Sequence, residues 1–317
     1  MSNIEDLIKL TNPFKEGVNW VQSAGGNISV KSGDLMHIKA SGFRLSQISK
    51  EKGFVQVDVP KVKDYFTSAK EESILVKEYK PHITDCIVGD DSFLPSMETG
   101  FHAVLDKYVV HTHPMLLNVL LCSSNAREAI NKLGINYTYV PYVTPGFQLS
   151  KAIANSNKIS VIFLENHGLI THSDDLDNAI RLHQLVLEKI KLKTVSINYL
   201  NYSKKAPDKF VFKDNDALLK NILPSDLDIY LFPDQAVFLH GKVSFMDENS
   251  TIFINLKTCE IIYNMSEKSA SSCHEVLYST LWIIAVQKNN GLKPAYLSEI
   301  DSAEILGLDM EKYRQSL

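Results

Sequence analysis

Alternating and helical apolar spacings divide the chain into a series of short elements. Residues 3 to 11 read as a helix ended by Asn12-Pro13, because the residue before proline is pushed out of the helical region. Ser23-Ala24-Gly25-Gly26-Asn27-Ile28-Ser29-Val30 reads as a tight turn feeding an alternating strand. Leu35 to Lys39 forms a second strand, paired with the first across Lys31–Asp34 and ended by Ala40-Ser41-Gly42. Phe54 to Val59 alternates as a third strand, stopped by Pro60, and the polar stretch 61–94 carries no clear period. Pro95-Ser96 opens a helix that places Glu98 in its first turn, and Tyr108 to His113 is a strand. Leu116–Cys122 and Ala126–Leu133 suit helices, the second capped by Gly134.

Val161-Ile162-Phe163-Leu164 is a continuous apolar run of strand length, predicted to be buried on both faces, and it delivers Glu165-Asn166-His167-Gly168 at its end. Ser173-Asp174-Asp175 then opens a helix whose apolar face is Leu176, Ala179, Ile180, His183, Leu187 and Ile190, which gives His183 a structural role. Composition turns polar from about 200 to 225 and marks a boundary. Beyond it, Ala236–Leu239 and Thr251–Asn255 read as strands, with helices at 270–288 and near the C-terminus. No repeat or low-complexity tract is present.

The 317 residues suit one large domain or a domain of about 200 residues with a smaller one. A hydrophobic fraction of 44% and a charged fraction of 22% describe an ordinary globular chain. The formal charge of -4, with Lys and Arg scattered among acids, excludes a basic stripe for nucleic acid. Cys86, Cys122, Cys259 and Cys273 make no C-x-x-C pair and read as reduced, mostly buried thiols. The start Met-Ser-Asn-Ile-Glu-Asp lacks the basic end of a signal peptide. The longest apolar stretch, Val276 to Val286, is broken by Tyr278, Ser279 and Thr280 and is too short to span a bilayer. A cytoplasmic protein with no membrane or nucleic-acid partner is expected.

The chemistry centres on His111-Thr112-His113-Pro114. In a strand alternate side chains share a face, so the two imidazoles would lie side by side at a spacing that suits one metal ion. The alternative is one core histidine and one at the strand end. His167 and Glu98 also fall at element ends, and three histidines with an oxygen ligand make a catalytic zinc arrangement. Taken singly, Glu98 could be a dipole-stabilising surface acid and His167 a turn residue.

Five segments in order, Gly-Gly-Asn-Ile-Ser (25–29), Ile-Lys-Ala-Ser-Gly (38–42), Pro-Ser-Met-Glu (95–98), His-Thr-His-Pro (111–114) and Glu-Asn-His-Gly-Leu-Ile (165–170), resemble the signature segments of the class II aldolase/adducin family. The resemblance covers roughly residues 1 to 200. It implies an α/β fold, a three-layer α/β/α sandwich around a mainly antiparallel sheet, in a homotetramer with sites between subunits. It also implies that His111, His113 and His167 bind Zn2+ or another divalent metal, and that Glu98 ligates the resting metal and serves as general acid/base. The metal would stabilise the enediolate left when a carbon–carbon bond breaks. The phosphate of a small-molecule sugar phosphate would lie on Gly26, Asn27, Ser41, Gly42 and Ser96, small residues with free N–H groups, although tight turns alone would also explain the glycines. Lys39 could add a charge, but a strand lysine is more often solvated.

The sequence departs from the family pattern in several places. Met97 stands where many members have a second serine, which reduces or reshapes the phosphate site. The interval from Glu98 to His111 is shorter than in the fuculose-phosphate aldolases, so the intervening helix is expected to be truncated. Both features are similar to aldolase-type domains fused to short-chain dehydrogenases. The family's catalytic tyrosine has no clear match; Tyr137, Tyr139 and Tyr142 are candidates. Residues 1–205 are expected to form the zinc domain and 206–317 a smaller α+β extension without assigned role. In that extension Leu231-Phe232-Pro233-Asp234 and Glu311-Lys312-Tyr313-Arg314-Gln315 also resemble the fusion proteins. The expected activity is a zinc-dependent aldolase on a phosphorylated ketose, with a sugar-phosphate 4-epimerase or dehydratase, or a non-catalytic adducin-like interaction module, as alternatives. An unrelated zinc hydrolase is disfavoured because no His-x-His-x-Asp-His run includes this pair.

Overall fold

The computed structural model describes residues 3–68, 70–194, 202–206, 208–213, 216–220 and 222–308. A seven-stranded sheet is built from β1 (Asn27–Ser32), β2 (Leu35–Lys39), β3 (Phe54–Asp58), β4 (Tyr108–Thr112), β5 (Thr138–Val140), β6 (Val161–Leu164) and β7 (Gly168–Ser173). Their order is β3-β2-β1-β4-β7-β6-β5, antiparallel throughout except for the β5–β6 pair. β4 lies at the centre, and its two-residue period sorts its side chains between the layers. Tyr108 and Val110 pack with Leu7 and Leu10 of helix Asn3–Thr11 and with Leu176 and Ala179 of helix Leu176–Glu188. Val109 faces the other way, into a core with Phe101 of helix Thr99–Val104 and Leu149 and Ile153 of helix Phe147–Ala154. The result is the three-layer class II aldolase fold expected from the resemblance.

The register carries the functional segments together. Asn27 of β1 pairs with His111 of β4, and His111 pairs in turn with Ile170 of β7. The turn Glu165-Asn166-His167 between β6 and β7 is thereby brought beside the end of β4. Asn166 adopts the left-handed conformation (φ 51°) that this reversal needs.

A second sheet has β8 (Tyr202–Ala206), β9 (Lys209–Phe212), β10 (Val243–Ser244), β11 (Ile252–Asn255) and β12 (Glu260–Asn264) in the order β10-β11-β12-β9-β8. It packs on the long helix Glu267–Asn289, and Phe212, Ile254 and Tyr263 share a core with Leu277 and Leu281. Val18, Met115, Val119 and Cys122, from the N-terminal part of the chain, belong to the same core. Gln287 seals this junction by donating from Nε2 to the carbonyls of Val119 at 3.0 Å and Cys122 at 2.8 Å.

Several elements differ from expectation. Ala236–Leu239 lies in a helix, Pro233–Leu239, not a strand. Pro at its first turn and a run of four apolar residues are as compatible with a short buried helix as with a strand, and all seven residues are buried on every side. Pro60 ends β3 but also starts a helix, Val59–Asp64, capped by Asp58, which accepts from the Lys61 N–H at 3.0 Å. The aperiodic stretch 61–94 contains helix Glu72–Asp85. β5, β7, β12 and helix Phe147–Ala154 lack a sequence counterpart above. Cys86, Cys122 and Cys273 are buried thiols. No helix among the described residues is long and apolar enough to cross a membrane. The segment Glu311–Gln315 lies outside the described residues.

Candidate metal centre

His111 and His113 do share a side of β4, the second just beyond the strand end, and the turn after β6 brings His167 to meet them. One ring nitrogen from each of the three lies within 4.8 Å of the others, and all three residues are buried. Glu98 occupies the N-cap position of helix Thr99–Val104, one residue before its expected place in the first turn. Its Oε2 lies 3.4 Å from His111 Nε2 and its Oε1 3.4 Å from His167 Nε2.

The hydrogen bonds assign the tautomers. His111 Nδ1 lies 3.0 Å from the Leu169 carbonyl, which can only accept, so Nδ1 carries the proton and Nε2 is bare. His113 Nδ1 donates to the Asp234 carboxylate at 2.7 Å, so that its Nε2 is the nitrogen turned toward His111. His111 Nε2 and His113 Nε2 face each other at 3.1 Å, next to the carboxylate of Glu98. Burial pushes the His111 imidazolium down to about 4, with Glu98 opposing in part, so His111 itself is neutral at neutral pH. Glu98 Oε1 is buried with no hydrogen-bond partner. Three converging ring nitrogens and a buried carboxylate oxygen without a hydrogen bond fit a divalent cation, and neutral imidazoles with a carboxylate are the donor set that zinc takes.

Glu98 is held from the other side. Asn27 Nδ2 donates to Glu98 Oε2 at 2.7 Å and to Ser96 Oγ at 3.1 Å. Asn27 Oδ1 accepts in a very short contact from His102 Nε2, and His102 Nδ1 then accepts from Ser29 Oγ at 2.7 Å. His102 is fully buried, and desolvation keeps its imidazole neutral, as this chain of bonds requires. Ser29 and Asn27 alternate on β1, so one strand face supplies both ends of the relay. His102 was invisible as a site residue because its single turn of helix gives no period.

One cleft presents Gly26, Asn27, Ser41, Gly42, Ser96, Glu98, His113 and His167 together, so every residue in the implied phosphate set lies beside the histidines and Glu98. Gly26 is in the left-handed region (φ +61°), and a Cβ there would meet the His111 carbonyl at 2.8 Å. Met97 also lines the cleft. Lys39 is not solvated: it is buried, it also lines the cleft, and Nζ donates to the carbonyls of Ala24 at 3.0 Å and Phe43 at 2.7 Å. Tyr137, Tyr139 and Tyr142 are not among the residues lining the cleft. Pro233 and Asp234, from beyond the boundary drawn in the sequence, are.

Residues 6–192 match the family model of the class II aldolase and adducin N-terminal domain. The chain belongs to the class II aldolase and adducin family. It is 30% identical over 183 residues to an uncharacterized oxidoreductase, YuxG, of Bacillus subtilis, which covers 53% of this chain and 26% of that protein. It is 25% identical over 200 residues to an L-fuculose phosphate aldolase of Methanococcus vannielii, covering 62% of this chain and 98% of the relative. This chain thus matches only about a quarter of YuxG and nearly all of the fuculose enzyme. Among solved structures, the N-terminal class II aldolase domain of a conserved Thermoplasma acidophilum protein superposes with a TM-score of 0.53 at 25% identity, over 59% of this chain and 92% of that one. Family membership agrees with the buried histidine triad, since class II aldolases typically use a divalent metal.

Proposed function

We propose that this protein is a zinc-dependent aldolase, an aldehyde-lyase acting on a phosphorylated ketose or related sugar. The observation that carries the reading is the set of three histidine nitrogens within 4.8 Å of one another, facing Glu98 in the cleft that also holds the two glycine turns. His111, His113 and His167 would hold Zn2+ or another divalent metal, with Glu98 as an oxygen ligand in the resting state. The metal supplies Lewis acidity toward carbonyl and hydroxyl oxygens of the substrate.

The chain's own groups do the rest. Cleavage of a carbon–carbon bond beside a carbonyl needs a proton removed from one fragment and a proton returned to the other. Glu98 and Asp234 are the carboxylates lining the cleft, and Asp234 is bonded to His113, so Glu98 is the group placed to carry the proton. Asn27 fixes one oxygen of Glu98 and leaves Oε1 to turn toward substrate. Ser96 Oγ already accepts from Asn27 and from the Glu98 N–H at 3.2 Å, which leaves its O–H as a donor for a phosphate oxygen. Gly26, Asn27, Ser41 and Gly42 complete that anion site, with Lys39 lining the same cleft.

The reading includes residues 1–205 as the zinc domain, 206–317 as an extension, a small-molecule sugar phosphate as substrate and a cytoplasmic homotetramer, whose mass light scattering would check. Its test is a screen of zinc-loaded protein against phosphorylated and unphosphorylated ketoses. Release of an aldehyde fragment from a phosphorylated substrate is the expected result. Products with an unchanged carbon skeleton would replace the aldolase by an epimerase or dehydratase on the same ligands. Protein that binds no zinc and turns over nothing would return the adducin-like interaction module.

A further inference from the structure

We infer that Asp234, contributed by the C-terminal segment, is a positioning residue that completes the metal centre by orienting His113. The inference rests on the reading of His111, His113 and His167 as metal ligands, and it adds a residue outside the stretch 6–192 that matches the family model.

Asp234 is 1% exposed, and its Oδ2 receives the His113 Nδ1–H at 2.7 Å. A carboxylate buried to this degree is costly unless it is hydrogen-bonded and faces positive charge. An imidazole that gives its other nitrogen to a metal provides both. A carboxylate on the far nitrogen of such a histidine fixes the tautomer, holds the ring plane and raises ligand basicity.

The surrounding structure is arranged around this contact. Gly25 lies against it: a Cβ there would sit 2.8 Å from Asp234 Oδ2 and 3.1 Å from His113 Nδ1. The first glycine of the Gly-Gly-Asn turn is therefore required by close approach, of this pair and of the Gln22 carbonyl at 2.9 Å, not by its own backbone angles. The loop before Asp234 is pinned by Gln235, which accepts from the Leu231 N–H at 2.7 Å and donates to the Ile229 carbonyl at 3.1 Å. Asn166, the neighbour of His167, donates to the Leu231 and Ala295 carbonyls, both at 2.8 Å. The turn that carries one histidine thus holds the segment that orients another. Leu231-Phe232-Pro233-Asp234 acquires a role through this arrangement.

The experiment is a zinc titration of the full chain by competition with a chromogenic chelator, paired with the visible spectrum of the cobalt(II)-substituted protein. Asp234→Asn keeps size and shape but removes the charge. It should weaken zinc binding by about 10- to 100-fold and alter the cobalt spectrum, while His111→Ala should weaken binding far more. Zinc affinity within twofold of the parent with an unchanged cobalt spectrum in Asp234→Asn would overturn the inference. Undiminished zinc binding in His111→Ala would instead overturn the three-histidine reading itself. Should Asp234→Asn not fold, Asp234→Ala titrated with and without formate decides: a small carboxylate that restores zinc affinity supports the positioning role, and indifference to formate refutes it.

Discussion

Glu98, the proposed proton carrier, illustrates how much of a buried carboxylate's setting lies in its supports. Its two oxygens have different surroundings, one fixed by Asn27 at 2.7 Å and the other buried without a hydrogen-bond partner. Glu98→Gln preserves size and the three histidines, so it should keep bound zinc, measured by metal analysis, yet lower kcat by about 10²- to 10⁴-fold, the usual worth of general acid/base catalysis. Full turnover in that variant would remove Glu98 from proton transfer. The paired His111 and His113 stood out in the sequence by their spacing, whereas His167 and Glu98 were ambiguous singly and became candidates through the ordered family-like segments. His102 and Asp234 were not, because a residue that acts by holding another is recognised only once its partner is known.

The elements show where period decides and where it does not. In β4 the alternation is strict: His111 faces the Phe101 side, while Thr112 faces helix Leu176–Glu188 and bonds His183 Nε2 at 2.7 Å. Thr171 of β7 meets the other nitrogen of His183 at 2.9 Å, which bears out the structural role expected from its position on the apolar face. Burial, aided by the nearby His111, holds the folded pKa of His183 well below its usual value. The unfolded chain therefore takes up a proton near pH 6.5 that the folded chain refuses, so this histidine costs stability as pH falls below that point. The slope is about 1.4 kcal/mol per pH unit. Denaturant melts at pH 7.5 and 5.5 should show that loss, and a folded His183→Gln variant should lose less over the same interval; an equal loss would refute the assignment. Where a segment is buried on all sides, as at Ala236–Leu239, hydrophobicity alone does not separate helix from strand.

At the scale of the molecule, the N-terminal sheet and the C-terminal segment share a core and do not merely adjoin. Val119 and Cys122 pack with Phe232 and Leu277, and Asn166 and Gln287 donate across the junction. Arg44 Nη1 meets Glu275 Oε1 at 2.7 Å, and the same carboxylate accepts from the Ser23 N–H at 2.6 Å, tying the long helix to the turn that precedes Gly25. Calorimetry is expected to record one cooperative unfolding transition. Two well-separated transitions would contradict a shared core.

The sequence by itself determined several of the strands, the β1–β2 pairing, and, through five ordered segments, the resemblance to the family with its candidate metal-binding residue types, because period-two patterning, glycine turns and paired histidines are local properties. Only the tertiary structure decided what surrounds those residues. The antiparallel register sets Asn27 beside His111, burial removes Lys39 from solvent, and the first turn of a helix more than a hundred residues away delivers Asp234 to His113. These are long-range contacts, chosen by which apolar faces can be covered together, and no local period records that choice.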